Sequence, residues 1–401
     1  MANCYKAIRV GFLILFLFSC FPASAELVQT GRSGVYAKDK LVILPSEDFG
    51  TRVDWDTFFY NTFTDLTVGP EGNIFAASSR QHKIFKFSSQ GDLIKSFGEK
   101  GQGPGDFNGP DNLSILDNKF LVIGEYALSL RISLFDLDGN FFKVLKTKNS
   151  VYSPIALKNN HVAYIGKNFR KQGNTTIAIE SAIIKRVDNG EESTVVKFEF
   201  PIQSLRTGNQ SSISLGDDTG GRMFIACSGE GNLLVGNSLL PKIDVYTIEG
   251  KKVGSITLNM ETIPVTKKLI SRFKEYNIEL MSKDSQHSKA RREETLKTFR
   301  KASWDHLFST NLPFYTELLV DSSGHMLLFR KLDCLGECPV LIQAYSPQGE
   351  YISQFELQGG DYSLIIDPRR KHMCFTGDRL IALVQKKNSP EFSLRLIEVQ
   401  F

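Results

Sequence analysis

Leu66-Thr67-Val68-Gly69-Pro70-Glu71-Gly72-Asn73-Ile74-Phe75-Ala76-Ala77 reads as strand, turn, strand. His82-Lys83-Ile84-Phe85-Lys86-Phe87 alternates as a third strand, Ser89-Gln90-Gly91-Asp92 turns, and Leu93-Ile94-Lys95-Ser96-Phe97-Gly98 makes a fourth. The turns carry Gly and Asn, residues that adopt positive φ at little cost.

The same grammar recurs along the chain. A second copy starts at Leu113, turns at Asp117-Asn118 and again at Asp138-Gly139-Asn140. A third begins near Pro154 and turns at Asn159-Asn160 and Asp188-Asn189-Gly190; a fourth turns at Gly231-Asn232 and Glu249-Gly250. The fifth runs from Leu318 through Gly324 and Gln348-Gly349, and the sixth from about Met373 to Val399. Six units of about 40–50 residues, none able to bury both faces alone, predict a six-bladed β-propeller. A sandwich also uses short strands, but it does not need six copies of one turn pattern. The sixth unit lacks an outer strand, so Val35-Tyr36 or Leu41–Leu44 is expected to supply it and close the ring.

Gly91–Gly98, continued by Gly101-Gln102-Gly103-Pro104-Gly105-Asp106-Phe107 and Pro110, resembles the NHL repeat of six-bladed propellers. The remainder is similar to the secreted bacterial propellers grouped with TolB-like folds, a resemblance that covers most of residues 30–401, within a propeller expected over residues 26–401. That resemblance implies architecture far more than activity. The glycines of 98–110 are an inter-blade connection rather than a phosphate loop, because a strand at Leu113 follows them, not a helix.

Residues 1–25 have a basic start (Lys6, Arg9), an apolar run from Val10 to Phe18 and a small-residue exit at Ala23-Ser24-Ala25. They read as a cleaved signal peptide, which makes the chain periplasmic or secreted. Leu17-Phe18-Ser19-Cys20 is a second possibility, a lipobox with Cys20 as the lipidated residue, although Phe18 is bulky for it. The balance of 41% hydrophobic and 23% charged residues excludes disorder and a multi-span membrane protein. The net charge of +4 falls to about +2 without Lys6 and Arg9, so nucleic acid is not an expected partner.

From Glu261 to Phe308 the strand signals give way to helical ones. Leu269, Phe273, Tyr276 and Leu280 fall on one helix face, with Thr266 as N-cap, and a second helix starts near Ser288 with Leu296, Phe299 and Leu307 on one side. This helical hairpin, residues 261–308, carries 11 Lys or Arg against 7 Asp or Glu. It is either a solvated face or a docking element for an anionic partner or the membrane surface.

The resemblance implies a ligand site at one mouth of the channel, on loops leaving the second strand of each blade. Those positions hold Arg80 and His82, Tyr126 and Arg131, Lys167 and Arg170, Arg330 and Lys331, and Lys386 and Lys387. An electropositive face for an envelope protein or an acidic glycan is expected, with no cofactor, metal or catalytic residue and a monomeric state. The alternative is a channel-mouth hydrolase or lyase acting on glycan or peptide, which needs convergent His, Asp or Glu side chains. Cys334 and Cys338, three residues apart around Gly336, are candidates for a local disulfide, and Cys227 and Cys374 for core thiols.

Overall fold

The computed structural model describes residues 40–42, 44–45, 63–125, 129–173, 175–202, 204–207, 211–214, 221–283, 288–321, 323–331, 340–358, 362–364, 373–376, 379–382, 384–386, 392–393 and 397–398. Strands β1 (Lys40–Val42) and β2 (Leu44–Pro45) come first. The first blade is β3 (Phe63–Val68), β4 (Ile74–Ser78), β5 (Lys83–Phe87) and β6 (Leu93–Phe97). The second is β7 (Pro110–Leu116), β8 (Phe120–Glu125), β9 (Arg131–Asp136) and β10 (Phe141–Lys146). The third is β11 (Ser150–Leu157), β12 (His161–Gln172), β13 (Thr175–Arg186) and β14 (Glu192–Ile202). A hairpin of β15 (Ser204–Thr207) and β16 (Ser211–Ser214) precedes the fourth blade. That blade is β17 (Met223–Cys227), β18 (Leu233–Asn237), β19 (Lys242–Tyr246) and β20 (Lys252–Thr257). The fifth is β21 (Glu317–Val320), β22 (Met326–Lys331), β23 (Val340–Tyr345) and β24 (Tyr351–Gln358).

Within each blade, strands adjacent in sequence pair antiparallel. The first strands β3, β7, β11, β17 and β21 also lie side by side from one blade to the next. The sheets therefore radiate from a shared hub, which makes the chain an all-β propeller.

The core lies in the seams between blades, and strand alternation builds it. On β8, Leu121 and Ile123 join Phe75, Ala77 and Ile84 of the first blade, while Val122 points the other way to Val162 and Tyr164 of the third. On β17, Met223 and Ile225 pack against the third blade, and Phe224 and Ala226 against the fifth. A period-two pattern that is apolar on both faces is what a sheet sandwiched between two others requires. Exposure grows outward within the first blade: β4 is buried throughout, whereas Leu93 to Ser96 of β6 face solvent.

Among the described residues there are five four-stranded blades, not the six the repeats predict. Residues after Gln358 form β25 (Tyr362–Leu364), β26 (Met373–Thr376), β27 (Arg379–Ala382), β28 (Val384–Lys386), β29 (Phe392–Ser393) and β30 (Ile397–Glu398). These pair as β25-β28-β29, β26-β27 and β2-β30, with β26 beside β3. Ladders of two to four residue pairs do not make a continuous meander. The N-terminal segment meets the expectation in part: Leu44 and Pro45 pair antiparallel with Glu398 and Ile397 of the last unit, while β1 goes elsewhere. β1 runs parallel along β24, with Lys40 opposite Glu356 and Val42 opposite Gln358, and so covers the edge of the fifth blade. The eight-residue β24 offers the long unpaired edge that such a strand can occupy.

Two helices, α1 (Lys267–Lys283) and α2 (Lys289–Lys301), interrupt the sheets between the fourth and fifth blades. Thr266 caps α1, its Oγ1 accepting from Leu269 N at 3.2 Å, and Ser288 caps α2, accepting from Arg291 N. Their shared core is Phe273, Phe299, Trp304 and Leu307, with Ile270, Ile278 and Met281 at its edge. Tyr276, expected on the apolar face, is exposed, because Ile270, Phe273 and Met281 set a face rotated away from it. Leu307 sits in a short 3₁₀ turn, Asp305–Leu307, after the second helix. Among the described residues no helix is long and apolar enough to cross a membrane.

Candidate ligand-binding face

A meander with neighbouring inner strands brings every turn between second and third strands to one end of the propeller. The connections from each outer strand to the next blade arrive at that same end. Hydrogen bonds tie the two sets together: Thr147 N donates to Leu130 O at 2.8 Å, Phe314 N to Ser238 O at 2.8 Å and Leu258 N to Pro241 O at 2.9 Å. The glycine-rich segment 98–109 is one of these connections. Phe107 is buried beneath it, and its N donates to Glu99 O at 2.8 Å. Gly98 has a φ of +91°, and a Cβ there would lie 2.3 Å from the Phe107 ring, so this position needs glycine twice over.

Three of the basic residues expected to form an electropositive face, Arg131, Lys167 and Arg170, are paired with acids. Arg131 Nε lies 2.5 Å from Glu125 Oε1, and its terminal nitrogens donate to Gln102 O at 2.8 Å and Asp106 O at 3.1 Å. Glu125 is itself buried and takes Asn108 N at 2.8 Å. This pair therefore straps the glycine-rich connection to the second blade. Lys167 is 2.9 Å from Glu180, whose other oxygen accepts Met223 N of the next blade at 2.8 Å. The Lys167 ammonium also lies 5.6 Å from the Tyr152 ring. Arg170 pairs with Glu199 at 2.5 Å, both half exposed.

Arg80 is exposed in the turn after β4, and His82 in the same turn is half-buried with a φ of +56°. Arg330 is almost wholly buried, and its environment is taken up below. Lys331 and Lys386 end strands whose backbone alone is described there. Tyr126, Lys387, Cys334, Cys338, Cys20 and residues 1–25 lie outside the described residues. Cys227, expected as a core thiol, is half-buried at the end of β17 and unbridged.

Alongside the exposed Arg80 and the half-exposed Arg170, the face presents apolar side chains to solvent. Leu130 is 52% exposed, Phe169 54% and Leu240 46%, and each sits at or beside the turn after the second strand in blades two, three and four. Composition drew attention to the lysines and arginines, yet these three occupy the same loops. The available signal was an apolar side chain at a turn flanked by charges or Pro, as in Lys167-Asn168-Phe169-Arg170 and Leu240-Pro241. Blade three carries its turn furthest, since β12 and β13 run 12 residues each. Among the described residues no three His, Cys, Asp or Glu side chains are grouped to hold a metal ion.

No family model matches the sequence, and no curated protein matches it. Solved structures of similar shape exist at low identity. A member of the DUF4221 family from Bacteroides vulgatus is 8% identical with a TM-score of 0.44, covering 88% of this chain and 98% of that one. Virginiamycin B lyase from Staphylococcus aureus is 10% identical with a TM-score of 0.40, covering 86% and 94%. The Swd1 β-propeller domain of Myceliophteria thermophila is 10% identical with a TM-score of 0.36, covering 73% and 70%. At such scores these likenesses say nothing about chemistry.

Proposed function

We propose that this chain is an exported, non-catalytic recognition protein that docks a protein partner on the loop face of its propeller. The observation that carries the reading is the exposure of Leu130, Phe169 and Leu240 on successive blades. Solvent-facing apolar side chains of this size on a rigid frame are the usual anchors of a protein interface. A protein surface fits better than an acidic glycan, because Arg131 and Lys167 are neutralised by Glu125 and Glu180. Export rests on the leader-like residues 1–25, and kinship with NHL or TolB-like propellers rests on the Gly91–Pro110 junction.

The test is quantitative affinity capture from envelope extract with the mature chain and with the triple variant Leu130→Ser, Phe169→Ser, Leu240→Ser. One or more proteins enriched by the parent should fall about tenfold or more with the triple variant. They should be retained by Val253→Ser on the outer strand of blade four. An unchanged partner profile for the triple variant overturns the proposal.

A further inference from the structure

Arg330, next to last on strand β22, lies in the seam between the fourth and fifth blades and is only 4% exposed. One of its terminal nitrogens, Nη1, donates to Glu261 O at 2.6 Å. Its Nε and Nη2 are buried and have no hydrogen-bond partner among the described residues. The Phe314 ring lies 5.6 Å from the guanidinium carbon and flanks it on one side.

Other buried or half-buried cations have their acids: Lys86 with Asp138, Arg131 with Glu125, Lys167 with Glu180, and Lys185 with Glu192. Among the described residues Arg330 has none. A guanidinium cannot shed its proton, and a buried charge without a counter-ion is costly. Burial lowers its pKa, and no acidic neighbour acts against that.

The two unpartnered nitrogens are not an arbitrary pair. Nε and Nη2 form one edge of the planar guanidinium, with two N–H bonds directed in parallel. A carboxylate receives such an edge with both oxygens in one plane. We propose that Arg330 is the anchor of a binding site for a small carboxylate, held side-on by Nε and Nη2 beside Phe314. The segment that covers it, 259–261, is held by side chains of the fifth blade. Asn259 N donates to Tyr345 Oη at 2.8 Å, Asn259 O accepts from Gln343 Nε2 at 2.7 Å, and Glu261 O accepts from Arg330. The site lies at the loop-face end of the fifth blade but uses none of Leu130, Phe169 and Leu240, so either reading can fail alone.

The probe is acetate. Thermal unfolding of the mature chain is followed at pH 7 in increasing sodium acetate, against sodium chloride at equal ionic strength. Saturation-transfer NMR on the acetate methyl group gives a direct binding readout. Acetate is expected to raise the unfolding midpoint above chloride, to show saturation transfer, and to be displaced by formate. Arg330→Lys keeps the charge but not the paired edge, and should weaken acetate binding about tenfold or more while remaining folded. Lys119→Met, on an exposed turn, should behave as the parent. The proposal is overturned if acetate and chloride act alike on the parent, which is the result expected were the two N–H groups served by water alone. It is equally overturned if Arg330→Lys binds acetate as the parent does.

Discussion

The Arg131 guanidinium and the Glu125 carboxylate meet at 2.5 Å at the end of the second blade, and between them they hold the backbone of Gly101, Gln102, Asp106 and Asn108 in the preceding connection. Removing the acid alone would leave a half-buried cation and an unpaired Asn108 N–H. Glu125→Ala should therefore cost roughly 2–4 kcal/mol, at or below the usual range for breaking a buried pair because Arg131 retains some solvent. Chemical denaturation measures this. A loss under 1 kcal/mol would show the strap to be dispensable.

Gly139 turns the chain between β9 and β10 at a φ of +78°, and a Cβ there would lie 2.5 Å from the Phe97 ring of the first blade. The same relation recurs where Gly349, φ +88°, meets Ile256 of the fourth. Gly139→Ala combines left-handed strain with overpacking, and should destabilise by about 2–4 kcal/mol. Gly173, also at positive φ but with open space around it, should lose only about 1 kcal/mol as Ala. Denaturation of the two variants side by side separates strain from contact.

Phe169 and Phe329 make a second comparison. Phe169→Ser, at an exposed position, should shift stability by no more than about 0.5 kcal/mol, whereas Phe329→Ala, fully buried, should cost about 3–5 kcal/mol. If Phe169→Ser proves strongly destabilising, that side chain serves the fold and not a partner.

Asp244 on β19 takes Ser255 Oγ at 2.7 Å, Lys252 Nζ at 2.9 Å and Lys242 Nζ at 3.0 Å. Burial by itself raises its pKa, but the hydrogen bonds from Lys252, Ser255 and Lys242 together outweigh burial and hold the carboxyl below its ordinary value. A carboxyl depressed in the folded state stabilises above its unfolded value, about 4, and that contribution disappears as the pH falls through the lower folded value. Asp244→Asn should be about 1 kcal/mol less stable at pH 7 and lose less of its stability on acidification below pH ~4. Denaturation midpoints across a pH series check the slope.

Much of this fold was legible because two-faced burial leaves a plain mark: Leu121, Val122 and Ile123 are all apolar, and the turns between strands carry Asn and Gly. The helical hairpin announced itself by the switch of period around Phe273. The blade count was not legible, since Met373–Thr376 and Arg379–Ala382 carry the same alternation as true blade strands and differ only in what they find to pair with. Side-chain pairing was missed for a different reason. Loop lysines were read singly, although folding β12 onto β13 sets Lys167 directly opposite Glu180. Counting outward from the Gly173 turn would have found that partner. No such count reaches Arg330, whose surroundings come from the segment before the helices.

The parallel strand laid along β24 joins positions roughly 300 residues apart. That sheet is finished only after about 300 further residues have followed its first member. In the interval the earlier strand must wait without its mate, and once made, the later edge stays open to any other chain that arrives first. Assembly of the fifth blade is thus a contest between its own distant strand and foreign ones, won by keeping neighbouring chains apart while it completes.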